Sequence, residues 1–329
     1  MMSAGRALRR FGDRFLYPMP RQLSSRFSEI GDPARARIEA SLEQNFYSPE
    51  AGGYLRSEEG RQHLEGQVSG RLESDRRRVI PWLDAARRLD GARILEIGCG
   101  TGSSTVALCE QGADVVAVDL NRRHMAVARE RCEAHGQKPH FVVANAAEVA
   151  ELFADRRFDF VIFFAALEHM TYEERRVAMA NTWNMLAPGG LWAVVETPNR
   201  LHYFDDHSAK LPFYHWLPDE LAWDYGERSP RAAFRSTISG VRDADDYRLA
   251  LQRFGRGISY HEFELALAPM RELQVVSSLY THTPGLRALR WVQKRTALKG
   301  RYQNLLSQIC PEISPAFFEP WLNLILAKR

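Results

Sequence analysis

Apolar runs of strand length recur along the middle of the chain, each followed by a glycine or polar turn and then by a stretch with helical spacing. The runs at 93–97, 114–118, 140–144, 158–164 and 191–196 are nearly continuous in apolar residues, as strands covered on both faces should be. The intervening stretches near 103–111, 122–135, 147–153 and 172–186 read as helices. Strand and helix in strict alternation predict an α/β fold with a doubly wound, mostly parallel sheet. Two later runs, 273–278 and 319–327, supply two more strands. Ahead of the first strand, 38–47 and 60–89 are helical, with Leu64, Val68, Leu72, Val79 and Leu83 at mixed three- and four-residue spacings.

Composition narrows this picture. A chain of 329 residues can bury a full core, either as one enlarged domain or as a domain plus a cap. Its 44 basic and 41 acidic residues leave a formal charge of +3, which does not suggest a dedicated nucleic-acid binder. Cys99, Cys109, Cys132 and Cys310 are scattered, which argues against a disulfide framework or a zinc site and fits a reducing, cytoplasmic setting. No run approaches transmembrane length. Within 1–32, Arg6, Arg9, Arg10 and Arg14 interleave with Leu8, Phe11 and Phe15. That pattern suits a helix packed on the domain or on a second subunit, a weak peripheral membrane contact, or a presequence. Monomer and homodimer both stay open.

The most informative stretch is Glu96-Ile97-Gly98-Cys99-Gly100-Thr101-Gly102, where a strand passes through glycines at alternate positions into a helix. Gly98 and Gly100 let backbone approach a nucleotide-like ligand, and Gly102 lets the helix pack closely. Glu96 would repel a pyrophosphate and suit a cationic amine. Asp119, at the tip of the second strand beside Leu120, is placed to accept hydrogen bonds from both ribose hydroxyls of a nucleoside. An acid ahead of G-x-G-x-G, rather than G-x-G-x-x-G, resembles the first motif of the class I S-adenosylmethionine-dependent methyltransferases. That resemblance implies a Rossmann-like, seven-stranded, mostly parallel sheet ending in an antiparallel hairpin. N-terminal helices and lid insertions are added to it here. It implies S-adenosyl-L-methionine as cofactor, with S-adenosyl-L-homocysteine as product if a methyl group is transferred. The turn Leu186-Ala187-Pro188-Gly189-Gly190 before the fifth strand is another shared feature.

Two further motifs border the cofactor in that family. Asn145, with Ala146 after it, stands where an aspartate usually receives the adenine amino group, so its charge is missing here; Glu148 is either part of this motif or a helix-start residue. Leu167-Glu168-His169 is similar to the ending of the fourth strand in small-molecule methyltransferases related to the ubiquinone and sterol enzymes. Glu168 is read as a cofactor-side or loop-fixing carboxylate. His169 is either a general base or a packing residue below the methionine moiety.

Residues 196–218 carry three histidines after Glu196 among many acids and aromatics, and Pro198, Pro212 and Pro218 exclude a long helix. An ordered loop forming an active-site wall is expected, with His207 as the second candidate base, steadied by Asp205 and Asp206, and Tyr203 as a third candidate. His202, Asp206 and His207 do not form a recognised metal pattern, and no metal is expected. Tyr47 and Tyr54, flanking the turn 48–53, are lid candidates. In 219–272, Ser259 and Glu262 have capping-box spacing, and 286–306 is a basic helical stretch.

The chain is therefore divided into an N-terminal helical segment and lid (1–90), a cofactor-binding core (91–198), a substrate-side cap (199–272) and C-terminal core strands (273–329) with a helical insertion at 279–318. The expected activity is methyl transfer to a small-molecule acceptor, through an oxygen nucleophile activated by a histidine. Nitrogen or carbon methylation, cyclisation or aminocarboxypropyl transfer from the same sulfonium, and a catalytically inactive binding protein are the alternatives.

Overall fold

The structure, a computed structural model, describes residues 20–47, 51–241, 244–282 and 297–328. Seven strands are present: β1 (Arg93–Ile97), β2 (Asp114–Asp119), β3 (His140–Val143), β4 (Phe158–Phe164), β5 (Leu186–Pro198), β6 (Leu273–Ser278) and β7 (Trp321–Lys328). They form one sheet in the order β3-β2-β1-β4-β5-β7-β6. β1 pairs in parallel with β2, and β2 with β3, whereas β7 runs antiparallel to both β5 and β6. The Rossmann-like sheet with its final hairpin is the architecture expected. Every residue of β4 is buried, which explains its apolar sequence; its one acid, Asp159, pairs with Arg87 and Arg93.

Two expectations need correction. Leu186 to Gly190 is the start of β5 rather than a turn before it; Gly189 takes φ +69° inside the strand. The helical stretch before β1 is not uniform: α-helical segments alternate with π turns at Gly66–Gly70 and Asp75–Val79. The insertion between β6 and β7 holds the helix Leu298–Ile309 and a short turn at Pro315–Phe318. The arginines of 1–19, the centre of the 48–53 turn and the basic positions 286–296 lie outside the described residues. No helix among the described residues is long and apolar enough to cross a membrane.

The fold divides into two compact units. The first contains residues 1–146, 157–162 and 279–287. Its first three strands back onto the helices Ser103–Cys109 and Arg122–Ala134. Arg131 is fully buried there and donates to the carbonyls of Thr101 (2.8 Å), Val68 (2.6 Å) and Gln67 (2.8 Å). One guanidinium thus satisfies carbonyls of a π turn and of the glycine turn together. The second unit contains 147–156, 163–278 and 288–329. Its cap has its own small core of Ala209, Tyr214, Ala222, Phe234, Ile238 and Leu251.

Candidate functional site

In the first unit, β1 ends in the glycine turn. A Cβ on Gly102 would stand 2.8 Å from the Ala128 Cα, and its φ is +82°, so only glycine lets the helix Arg122–Ala134 come this close. At Gly100 a Cβ would meet nothing within 4 Å, so the backbone there borders open space. Asp119 anchors the turn: its carboxylate accepts from the Gly100 N–H and the Asn121 N–H, each at 2.8 Å. Leu120 beside it is 58% exposed. Ala146 is buried, Asn145 is half-buried, and Glu148 is exposed at the end of a short turn.

Glu96 is fully buried, and its carboxylate accepts from the Ser104 hydroxyl and, at 2.7 Å, from that of Thr105. Burial pushes its carboxyl up to about 7, against the opposing pull of the two hydroxyls. Both oxygens accept from the helix that follows the turn, so Glu96 fastens that helix to β1.

In the second unit the chain leaves β4 through Ala165 at φ +41° and enters a short turn, Leu167–His169. This uncommon backbone state aims Glu168 inward and His169 outward. Glu168 is fully buried; Oε2 accepts from the Thr197 hydroxyl at 3.3 Å, whereas Oε1 has no partner. Burial pushes its carboxyl upward. His169 is exposed, and its Nδ1 lies 3.0 Å from the Arg253 carbonyl. A carbonyl only accepts, so Nδ1 carries the proton and the Nε2 lone pair is open. The His207 ring centre stands 5.3 Å from that of His169. Burial, with His169 nearby, lowers the His207 imidazole to about 4, and its Nδ1 has no partner.

The wall segment after β5 is ordered by polar anchors. Asn199 donates to the carbonyls of Phe317 (2.7 Å) and Glu319 (2.8 Å). Asp205 accepts from the backbone N–H groups of His207 (2.9 Å), Ser208 (2.8 Å) and Ala209 (2.6 Å), and lies 3.2 Å from His215 Nε2. These contacts hold its carboxyl far below the usual range despite burial. The expected steadying of the His207 ring by Asp205 and Asp206 is therefore incorrect: Asp205 binds backbone and His215, and Asp206 pairs with Lys210 on the surface. His202 packs against Tyr203 with ring centres 4.4 Å apart. Burial brings its imidazole down to about 4.

A cavity of about 580 Å³ opens in the same unit, lined by Tyr172, Arg200, Trp216, Arg256 and Tyr302 among others. Arg256 is buried and paired with Asp219 at 3.3 Å, and the Arg200 guanidinium lies over the Tyr172 ring. Sequence reading passed over Arg175, which is 1% exposed and reaches the carbonyls of Glu168 (3.2 Å), Met170 (3.1 Å) and Arg256 (2.7 Å) and the Glu262 carboxylate (3.1 Å). It joins the 167–170 turn to the capping box of Ser259 and Glu262, which forms as expected. Nothing local in the sequence distinguishes Arg175 from its neighbour Arg176, which pairs with Glu173 at the surface.

Comparison with known proteins bears on the core. Residues 94–190 match a family model described as a methyltransferase domain. A ubiquinone biosynthesis O-methyltransferase from Rhizobium etli is 34% identical over 116 residues, covering 35% of this chain and 45% of that protein. The cypemycin N-terminal methyltransferase of a Streptomyces species is 34% identical over 117 residues, covering 34% and 44% respectively. Magnesium protoporphyrin IX methyltransferase from Synechocystis PCC 6803, solved with bound S-adenosylmethionine, is 21% identical with a TM-score of 0.37, covering 50% of this chain and 77% of that one. The chain spans just under half the length of the curated relatives it matches. The family match and the two curated relatives support placing the core, residues 94–190, in the class I S-adenosylmethionine-dependent methyltransferase superfamily. The family match ends at Gly190, so the wall and cap lie beyond it.

Proposed function

We propose that the protein transfers a methyl group from S-adenosylmethionine to an oxygen atom of a small-molecule acceptor. The glycine turn with Asp119 carries this reading. Open space over Gly100 and an exposed Leu120 fit a nucleoside lying along the turn. A carboxylate offers about four acceptor positions, and Asp119 uses two on backbone, leaving two for ribose hydroxyls. Gly98, Gly100 and Gly102 would border the methionine portion; Leu120, Asn145 and Ala146 would border the adenine. Bound there, the sulfonium supplies an electrophilic methyl carbon.

The chain's own work is to orient the acceptor, exclude water and take its proton. His169 suits the last task, because its proton is fixed on Nδ1 and the Nε2 lone pair is open. His207 suits it less, since an imidazole lowered to about 4 is a weak base. The cavity beside Tyr172, Trp216, Tyr302 and Arg200 favours an acceptor with an aromatic ring and an acidic group.

Calorimetry with S-adenosylmethionine, S-adenosylhomocysteine and NADH tests the cofactor: the first two should bind and NADH should not. Tight NADH binding with no binding of either sulfur nucleoside would overturn the assignment. With an acceptor in hand, His169→Gln should lower kcat by roughly 10²–10⁴-fold and flatten the acidic limb of the pH–rate profile. Its cofactor affinity should be unchanged.

A further inference from the structure

We propose that Glu168, His169 and His207 bind one divalent transition-metal ion of the zinc, cobalt, manganese or iron(II) class. Each offers one donor atom, and the three atoms lie within 4.8 Å of one another. Donors around a tetrahedral zinc stand roughly 3.3 Å apart, so closing this set needs only about an ångström of side-chain movement. Two imidazoles and one carboxylate form a mixed nitrogen and oxygen set that suits these ions better than calcium or magnesium.

Independent observations point to an ion. Glu168 is fully buried, yet Oε1 has no hydrogen-bond partner among the described residues, while Oε2 is steadied by Thr197. An unpaired buried carboxylate oxygen is costly and is relieved by a cation or by a proton. His207 Nδ1 is likewise buried without a partner, and no hydrogen bond among the described residues fixes its tautomer. His169 is oriented as metal-bound histidines commonly are, with Nδ1–H donated to the Arg253 carbonyl and Nε2 left for an ion.

The fold also makes room for the cluster. A Cβ on Gly255, whose φ is +122°, would stand 2.4 Å from His207 Nδ1, so glycine there lets the imidazole sit where it does. Among the described residues, no guanidinium group pairs directly with the Glu168 carboxylate. Arg253 pairs with Glu174 at 2.6 Å and Arg175 with Glu262 at 3.1 Å. Because His169 is exposed, an ion held here keeps a coordination position open to solvent or to a hydroxyl. A hydroxyl bound to such an ion gives up its proton to solvent more readily. The ion would occupy the lone pair that His169 needs as a base, so the two roles exclude each other in one molecule.

The test needs neither cofactor nor acceptor, so its outcome is separate from that of the methyl-transfer reading. The full chain, stripped with a chelator, is titrated calorimetrically with zinc and, in parallel, with cobalt(II) while its visible ligand-field spectrum is recorded. One ion per chain is expected, with a cobalt spectrum typical of a low-coordinate nitrogen and oxygen site. Glu168→Gln and His207→Gln should each weaken binding at least 100-fold. His202→Gln and Asp206→Asn, from the same loop but outside the cluster, should bind like the parent. Circular dichroism identifies any variant that fails to fold, and the cobalt spectrum of the unaltered chain decides the matter without variants. Absence of stoichiometric binding at millimolar metal, or binding that survives Glu168→Gln and His207→Gln together, would overturn the proposal. Glu168 would then be held as a neutral acid.

Discussion

Asp119 combines two tasks in one carboxylate: it holds the Gly100 and Asn121 N–H groups and retains two acceptor positions on the open side of the turn. Asp119→Ala should remove two charge-assisted hydrogen bonds to ribose and cost about 2–4 kcal/mol in S-adenosylmethionine binding, read by calorimetry. An unchanged dissociation constant would show that Asp119 is not the ribose ligand. His202 offers a residue-scale test of burial. Its imidazole is lowered to about 4 when folded, against roughly 6.5 when unfolded, so the unfolded chain binds more protons between these values. Its neutral form favours the folded state above pH ~6.5, and that contribution falls away as pH drops towards 4. The full difference is on the order of 3 kcal/mol. His202→Gln should therefore lose less stability than the parent between pH 7 and 4.5, by urea midpoints at the two pH values. Equal losses would mean that His202 titrates normally in the folded chain. Glu96, raised to about 7, works in the opposite direction, which is why the comparison is made between variant and parent.

At the scale of elements, the strands were legible because burial on both faces leaves mostly apolar residues, as in β4 apart from Asp159, and the glycine turn because its conformational demands are local. Other elements take their form from distant partners. The π turn at Gly66–Gly70 is matched to Arg131, which lies more than sixty residues away in sequence. The wall after β5 is shaped by Asn199, whose acceptors at Phe317 and Glu319 no spacing rule identifies, and by Asp205, whose local turn also reaches the distant His215. Composition correctly indicated an ordered loop there but paired His207 with its sequence neighbours instead of with Glu168 and His169. Two substitutions probe these joints. Gly102→Ala should force the helix Arg122–Ala134 away from the turn, at a cost of about 1–3 kcal/mol for overpacking plus strain at φ +82°, and should weaken cofactor binding. Arg175→Met should cost about 3–5 kcal/mol, since Glu262 and several carbonyls lose their buried donor. Chemical denaturation of each reads the effect, and a stability within 0.5 kcal/mol of the parent would remove the argument for that joint.

For the whole molecule, the division into two compact units makes ligand stabilisation a probe of cooperativity as well as of identity. The glycine turn and Asp119 both belong to the first unit. A ligand that binds only the folded state at 100 times its dissociation constant adds about 2.7 kcal/mol. An unfolding entropy of about 2.1 cal/mol/K per residue gives roughly 0.7 kcal/mol/K for all 329 residues. If the chain melts as one cooperative body, S-adenosylhomocysteine should raise Tm by about 4 °C. If the first unit melts separately, with roughly half that entropy, its transition should rise by about 8 °C while a second transition stays in place. Differential scanning calorimetry with and without S-adenosylhomocysteine, beside NADH at the same concentration, distinguishes these outcomes. We expect a shift with the sulfur nucleoside alone. Two transitions, only one of them moving, would show that the two units unfold independently. An equal shift with NADH, or none with either ligand, would instead remove the nucleoside from the glycine turn.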